Sequence, residues 1–372
     1  MTTNKTEARL DALLARLLDH TSDRLTLTAT LDLTPDGSGQ PPVLKMLTRA
    51  ARDAAAGLDH SDLALVDAEV ADLEAAAVDA SERGMLGLAW VSRPGEDDDA
   101  ASTLLELATP IRSSLHVGQG PRVFELARAS FFERPVTLVM TDLHTMDVVR
   151  VRYGAEIGSA EVDWPQHYLR KVGQRTGRDA FGGGVGHSYV KQHRYVEEQR
   201  NLFANEAAEH LVRFVQEGDL LVVEGVEEAR SQLLARLPDA LAAGAVQLPA
   251  SPHGEDERAR AERLHVLARD AQLAHAAERV ERWATGSEAN AIAGLTAIQT
   301  ACEQGRVASV LVHEGAANHL GSADDARLHA SVVDADAVEA VLQAALRQGA
   351  IAAFTGDDRI LSEGGIVAVG RY

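Results

Sequence analysis

The sequence predicts an α/β protein organised as three domains. Short apolar runs with strand-like alternation, such as residues 25–33 and 136–142, alternate along the chain with segments of helical periodicity. The length of 372 residues suffices for two or three separate hydrophobic cores. The polar stretch 251–256 is typical of a linker. We therefore predict a mixed α/β N-terminal domain (1–130), a middle domain (131–252) and a C-terminal α/β/α sandwich (253–372).

The first domain is predicted to combine helices and strands around one sheet. Ser61, followed by Asp62, is a residue type preferred at helix N-caps, so we expect a helix to begin there. The turn at 35–39 contains Pro, Asp and Gly, which favour chain reversal. The predicted helices are 7–19, 43–56 and 61–80, and the predicted strands are 25–33, 85–91, 104–108, 111–117 and 123–127.

The other two domains show the same alternation of strands and helices. In the middle domain, strands come first and then alternate with helices, which predicts an α/β sheet with one antiparallel portion. Its predicted strands are 136–142, 146–153, 155–162, 219–224 and 244–248, and its helices are 188–216 and 226–237. In the third domain the predicted helices are 255–283, 288–304 and 335–348, and the strands are 307–312, 328–332, 350–354 and 365–370.

Composition narrows the class of protein. No run of eighteen apolar residues is present, so we expect no membrane span. The first residues lack the basic-then-apolar order of a secretory signal. The single cysteine, Cys302, excludes an intrachain disulfide and suits a reducing compartment. We expect a cytoplasmic protein.

A glycine-rich basic segment, residues 173–200, is the most distinctive feature of the sequence. Gly182, Gly183, Gly184 and Gly186 fall within five positions, and ordering such a run is entropically unfavourable. From Ser188 onward the pattern becomes helical. The predicted apolar stripe consists of Tyr189, His193, Val196, Phe203, Ala207, Leu211 and Phe214. We predict a mobile glycine tip carried by a rigid helix.

Charge indicates what this tip contacts. Residues 164–196 carry +5, whereas the whole chain carries a formal −20, so the remainder is at −25. A basic patch on an acidic protein is typical of a polyanion-binding surface, here RNA. The alternative is a solvated loop that is basic without binding anything. The candidate RNA-binding residues are Arg170, Lys171, Arg175, Arg178, Gly182, Gly183, Gly184, Gly186, His187, Ser188, Lys191 and Arg194.

Catalytic and metal motifs are weak by comparison. The Gly186–Val190 stretch lacks the final glycine and the preceding strand of a nucleophile elbow, and neither GxxxxGK[ST] nor GxGxxG occurs. Asp142, His144 and Asp147 could hold a divalent ion, but aspartates also collect at hairpin turns, and we favour the turn.

Histidine and cysteine positions point to no further site. His187 and His193 lie on different sides of a helix, and His313 and His319 lack two further zinc ligands. Cys302 is expected in the core. We predict no catalytic residue, metal or cofactor.

Two stretches resemble a known family. The segment SYVKQHRYVEEQR after the basic glycine loop, and DDRI (357–360) with GGIVAVGRY (364–372), are similar to archaeal and eukaryotic peptide-chain release factors. The resemblance is strongest to their bacterial relatives, a group that includes the ribosome hibernation factor Balon. It covers the middle and C-terminal domains. It implies a ribonuclease-H-like middle domain without nuclease activity and a C-terminal domain resembling kink-turn-binding ribosomal proteins.

One departure from the family changes the expected activity. Release factors carry Gly-Gly-Gln on this loop, but here Gly182-Gly183 is followed by Gly184, and Gln192 lies on the predicted helix. The resemblance therefore implies a ribosome-binding translation factor that acts without hydrolysis. Hibernation in the A site, as part of a stress response, is the first expectation, and ribosome rescue is the second.

The resemblance also implies partners. These are rRNA, the tRNA acceptor end and a translation GTPase such as EF-Tu, with the first domain in the decoding region and the protein a monomer. Two alternatives stay open. One is an active peptidyl-tRNA hydrolase, in which His187 or the Gly183–Gly184 backbone positions water. The other is a stress-induced interaction protein without a ribosomal role.

Overall fold

The computed structural model describes residues 7–19, 24–95, 102–133, 135–143, 145–152, 155–163, 185–216, 218–250, 257–320, 328–329 and 331–371. It is a mixed α/β structure with several sheets, which confirms the predicted fold class. Contacts divide it into two compact units. Unit 1 combines Met1–Glu133 with His265–Tyr372, and unit 2 is Arg134–Leu264. The division at 130 and 252, and the ribonuclease-H-like and kink-turn-binding folds, stay predictions.

The helices and strands follow the chain in order. The helices are α1 (Glu7–Asp19), α2 (Leu47–Ala54), α3 (His60–Glu82), α4 (Phe124–Phe132), α5 (Val185–Phe214), α6 (Glu227–Leu234), α7 (Asp239–Ala243), α8 (Glu257–Ala284), α9 (Leu295–Glu303), α10 (Ala335–Arg347) and α11 (Asp358–Ser362). The strands are β1 (Leu25–Asp32), β2 (Gly87–Ser92), β3 (Ser102–Leu107), β4 (Ser114–Gln119), β5 (Val136–Thr141), β6 (Thr145–Arg152), β7 (Ala155–Asp163), β8 (Leu220–Gly225), β9 (Val246–Leu248), β10 (Ala291–Ala293), β11 (Val307–His313), β12 (His319–Leu320), β13 (Leu328–His329), β14 (Ile351–Thr355) and β15 (Ile366–Gly370).

The first sheet of unit 1 is antiparallel, in the order β3-β2-β1-β4. Alternate residues of β1, including Leu27 and Leu31, are fully buried in a core shared with α2 and α3. The predicted helix 43–56 is instead a short 3-10 turn, Pro42–Lys45, followed by α2. Met46 separates the two pieces, because its backbone (φ −120°, ψ −6°) departs from helical geometry.

Helix α3 begins earlier than predicted. Its N-cap is Asp59, whose carboxylate accepts a hydrogen bond from the Asp62 amide at 2.9 Å. The prediction of Ser61 as the cap is wrong. The Ser61 hydroxyl instead donates to the Asp59 carboxylate at 2.6 Å, so both residues stabilise the same turn.

The predicted strand 123–127 is wrong, because these residues begin helix α4. Phe124 and Phe131 lie two helical turns apart and both contact the Phe354 ring. Buried Glu339, from α10, accepts hydrogen bonds from the Val123 amide at 2.6 Å and the Phe124 amide at 3.2 Å. A carboxylate distant in sequence therefore accepts the hydrogen bonds of backbone amides at the start of α4, which have no acceptor within the helix.

The second sheet of unit 1 has the order β10-β15-β11-β14, with β11 parallel to β14. Helices α4, α9 and α10 pack on one face, and α8 with α11 packs on the other. The single helix predicted over 288–304 is wrong, since β10 precedes α9. Positive φ angles at Asn290 (62°) and Gly294 (85°) interrupt the helix on both sides of β10. The predicted strand at 328–332 contributes β13, which pairs with β12 in a separate two-stranded sheet.

Unit 2 has one five-stranded sheet in the order β7-β6-β5-β8-β9. Strands β5, β8 and β9 are parallel, and β6 and β7 form an antiparallel hairpin beside β5. The predicted sheet with one antiparallel portion is confirmed. Val139 and Val223, which are register partners, face α5 and α6 in the core.

Candidate functional site

The predicted RNA-binding residues fall only partly within the described structure. Arg170, Lys171, Arg175, Arg178, Gly182, Gly183 and Gly184 lie outside the described residues, whereas Gly186, His187, Ser188, Lys191 and Arg194 lie on the backbone of α5. Helix α5 begins at Val185. Gly186 and His187 are therefore in its first turn. The prediction had placed them in a loop before a helix that begins at Ser188.

The second half of α5 is firmly packed. Phe203, Ala207 and Leu211 are buried and Phe214 is half-buried, so this part of the predicted apolar stripe is confirmed. They pack against Val139, Val223 and Leu233. The rise of an α-helix places Val185 roughly 22 Å from Arg200 along the axis. Helix α5 thus carries its first residues well away from this anchored half.

Polar contacts fix α5 against α6 and the turn that follows α6 as well. The Arg236 guanidinium donates to Asn205 at 2.7 Å and to Asn201 at 2.6 Å. Arg200 pairs with Glu228 at 3.1 Å. These contacts involve residues 200–205, in the middle of α5. Contacts within unit 2 therefore fix the direction of this helix.

Charge changes sign along α5. Lys191 and Arg194 belong to the basic segment, while exposed Glu197 and Glu198 follow directly. Farther on, Arg213 pairs with Glu209 at 3.4 Å. The N-terminal end of a helix also carries a partial positive charge from its amides. The cationic character is therefore concentrated at the start of α5, next to the segment 164–184.

A buried ion pair, which the sequence interpretation missed, holds the other end of α5. The Asp219 side chain is fully buried and binds the Arg150 guanidinium through both oxygens, at 2.8 and 2.9 Å. The Thr137 hydroxyl donates to the same carboxylate at 2.7 Å, and the Gln216 amide donates at 3.3 Å. Asp219 therefore fixes the turn that joins α5 to β8.

The hairpin tip that carries Asp142 is a turn where the structure describes it. Asp142 accepts a hydrogen bond from the Thr145 amide at 2.7 Å, which is the turn interpretation of this tip. Asp147 lies in β6, and His144 is outside the described residues. Within the described ranges, no group of three or more His, Cys, Asp or Glu side chains is arranged to hold a metal ion.

Histidine and cysteine positions in unit 1 have structural surroundings. Cys302 is buried in the core, as predicted, and burial raises the pKa of its thiol. His313 is buried at the end of β11, where its Nδ1 accepts a hydrogen bond from the Gly315 amide at 2.9 Å. His319 lies in β12.

Comparison with known families identifies the middle of the chain. Residues 135–288 match the model of the Bacterial archaeo-eukaryotic release factor family 2. This segment is similar to that family. The family resemblance predicted from the sequence is confirmed, and the match includes the whole basic segment together with α5.

Several solved structures are similar to the chain at low identity. Archaeoglobus fulgidus Pelota shares 17% identity over 77% of this chain and 79% of that chain, with a TM-score of 0.35. Ribosome-bound archaeal Pelota, from a model with ABCE1, shares 12% over 98% and 94%, with a TM-score of 0.42. S. cerevisiae Dom34, described as a translation termination-like factor interacting with Hbs1, shares 9% over 77% and 80%, with a TM-score of 0.39.

No curated protein matches the sequence. Within the described part of the chain, every helix is too short or too polar to cross a lipid bilayer.

Proposed function

We propose that this release-factor relative is a ribosome-binding translation factor that acts by occupying the A site, in hibernation or in rescue of stalled ribosomes. One observation carries the proposal. The family match over 135–288 includes a segment with a charge of +5 in which Gly182-Gly183 is followed by Gly184 and not by glutamine. The segment keeps the basic side chains and glycines that would approach RNA. It lacks the glutamine that release factors carry after Gly-Gly.

Electrostatics supports RNA contact at this segment. Arginine and lysine side chains neutralise phosphates and release bound counterions, which supplies much of the affinity of RNA-binding surfaces. The basic residues 170–194 stand against a remainder at −25, so RNA phosphates attract this segment while the net charge of the rest of the chain repels them. Helix α5 is a rigid support, because Phe203, Ala207 and Leu211 are packed into unit 2.

Other contacts of the bound protein are proposed from the family resemblance. The residues 182–187 approach the tRNA acceptor end or the peptidyl-transferase centre. The N-terminal segment lies in the decoding region, and the C-terminal segment faces a translation GTPase such as EF-Tu. The protein acts as a cytoplasmic monomer without a cofactor.

Co-sedimentation with empty bacterial ribosomes tests the proposal. The variant with Arg175, Arg178 and Lys191 all changed to Glu should no longer sediment with ribosomes, because three contacts to phosphates become repulsive. The matched control changes Arg213, Arg282 and Arg359 to Glu, because these residues lie outside the segments proposed to contact the ribosome. Their side chains are 70%, 51% and 47% exposed and form surface ion pairs. Equal ribosome binding by the two variants contradicts the RNA contact.

A peptidyl-tRNA hydrolysis assay on the same fractions separates occupation from release. We expect binding without turnover. Turnover that disappears in His187→Ala would overturn the occupation mechanism and establish the hydrolase alternative. His187 lies in the first turn of α5, so the alanine variant preserves the helix.

A further inference from the structure

Arg279, near the C-terminal end of α8, is a charged side chain buried against the second sheet. The residue is 9% exposed, and its Nη2 donates a hydrogen bond to the Ser309 hydroxyl of β11 at 2.5 Å. Arginine is almost never buried to this degree unless it is paired with an acid. An acidic partner is therefore expected within reach of Arg279.

Among the described residues, Ser309 Oγ is the one hydrogen-bond acceptor of this guanidinium. Glu288 attracts Arg279 electrostatically, but its carboxylate is hydrogen-bonded to Arg282 Nε at 3.0 Å. Burial lowers the pKa of Arg279, Glu288 raises it, and Arg282 lowers it. Within the described structure, the cation lacks a direct anionic partner, although a guanidinium carries five N–H groups in a planar fork.

The strand row beneath Arg279 opens toward solvent at one edge. Ser309 is in register with Val369 of β15 on one side and Ile351 of β14 on the other. Register partners project to the same face of a sheet. Ile351 is 69% exposed, although it stands beside a core strand. A small ligand can therefore approach Arg279 and Ser309 along an exposed apolar side chain.

We propose that Arg279 and Ser309 form a binding site for a single oxyanionic group, a phosphate or a carboxylate. The guanidinium supplies parallel N–H donors that match two oxygens of such a group. The Ser309 oxygen already accepts from Arg279, so its own proton is available to the anion. Ile351 provides an apolar contact beside the anionic head. This site lies outside the basic segment and goes beyond the proposed function.

Two ligand sources share this chemistry and can be separated. A phosphate arrives as a free ion or as part of a phosphorylated ligand, whereas a carboxylate arrives as a small acid or a carboxyl side chain. Inorganic phosphate and acetate are the two probes. Saturation by phosphate alone assigns the site to phosphates, and saturation by acetate assigns it to carboxylates.

The test is titration of the full-length, ¹⁵N-labelled chain, with the Arg279 Nε–Hε signal followed by NMR. That signal is assigned by its loss in Arg279→Met. We expect a shift that saturates with at least one probe, and about tenfold weaker binding in Ser309→Ala, the loss of one hydrogen bond to a charged group. Arg279→Lys should bind more weakly than the parent chain because an ammonium cannot present a fork.

Arg49→Met is the matched control, since it removes one exposed arginine from the same unit. It should leave the titration unchanged. A shift that rises linearly without saturation with both probes, or an identical affinity in Ser309→Ala, overturns the site. Ser309→Ala retains Arg279 and removes only a hydroxyl, so this comparison does not depend on the folding of the Arg279 variants.

Discussion

At the scale of single residues, the buried carboxylate of Asp219 stabilises unit 2 through its contacts with Arg150 and Thr137. We expect Asp219→Ala to lower the free energy of unfolding of this unit by about 3–5 kcal/mol, because Arg150 would stay buried without its partner. Hydrogen exchange of amides in β5 and β8, followed by mass spectrometry in urea, measures the change. Glu209→Ala breaks an exposed pair on α5 and should change the free energy by less than about 1 kcal/mol. Similar losses in both variants would refute the central role of Asp219.

His116 in β4 makes the stability of unit 1 sensitive to pH. Burial, assisted by the positive charge of Arg122 and opposed by Asp336, lowers the pKa of His116 from 6.5 to about 4. Between these values the unfolded chain binds a proton that the folded chain does not. Stability from this residue is therefore present above the ordinary pKa and is lost as the pH falls toward about 4.

Urea unfolding at about pH 7 and about pH 5 measures this contribution, which we expect to reach about 2 kcal/mol at most. His116→Gln should lose less stability than the parent chain between these pH values. His210→Gln, which changes an exposed histidine of α5, should lose as much as the parent. A parental pH dependence in His116→Gln would count against the buried, neutral histidine.

At the scale of elements, the start of α3 distinguishes two neighbouring residues of similar capping type. Asp59→Ala should destabilise the first turn more than Ser61→Ala, because Asp59 accepts from the Asp62 amide and Ser61 only supports that carboxylate. Hydrogen exchange of the Leu63 and Asp62 amides reports the difference. Faster exchange in Ser61→Ala than in Asp59→Ala would reverse the assignment.

Local patterns were sufficient for most elements but not for those that depend on distant partners. The strands β1, β5 and β11 and helices α1, α8 and α10 follow from periodicity alone, because each has one continuous buried face. Helix α4 was missed because its first turn is capped by Glu339, more than two hundred positions away. The three-residue strand β10 is specified by pairing with β15, which no local window contains.

The candidate site shows the same contrast. Its glycines and basic residues are visible in the sequence because composition alone makes residues 173–200 unusual. The pairs Arg150–Asp219 and Arg279–Ser309 are invisible there, since only the folded sheets bring them together. The one feature of the sequence that could have indicated the Arg150–Asp219 pair is an aspartate, Asp219, at the start of an apolar strand pattern.

At the scale of the whole molecule, the uneven charge predicts a salt-dependent interaction with ribosomes. The logarithm of the binding constant should fall linearly with the logarithm of salt concentration, with a slope of roughly −0.7 to −0.9 per phosphate contact. Arg178→Gln should reduce the magnitude of that slope by about one. Arg213→Gln, which removes a paired charge from α5, should leave it unchanged. An unchanged slope in Arg178→Gln would exclude a phosphate contact by that residue.

The interleaving of chain segments in unit 1 has a consequence for biosynthesis. Helix α4 is translated more than two hundred residues before its ring partner Phe354 and its capping carboxylate Glu339. Unit 2 is complete in the nascent chain long before these residues leave the ribosome. At about 5–20 residues per second, Phe124 waits roughly 12–46 seconds for Phe354 to be added. The N-terminal segment is therefore a natural client for chaperones that shield apolar surface during translation.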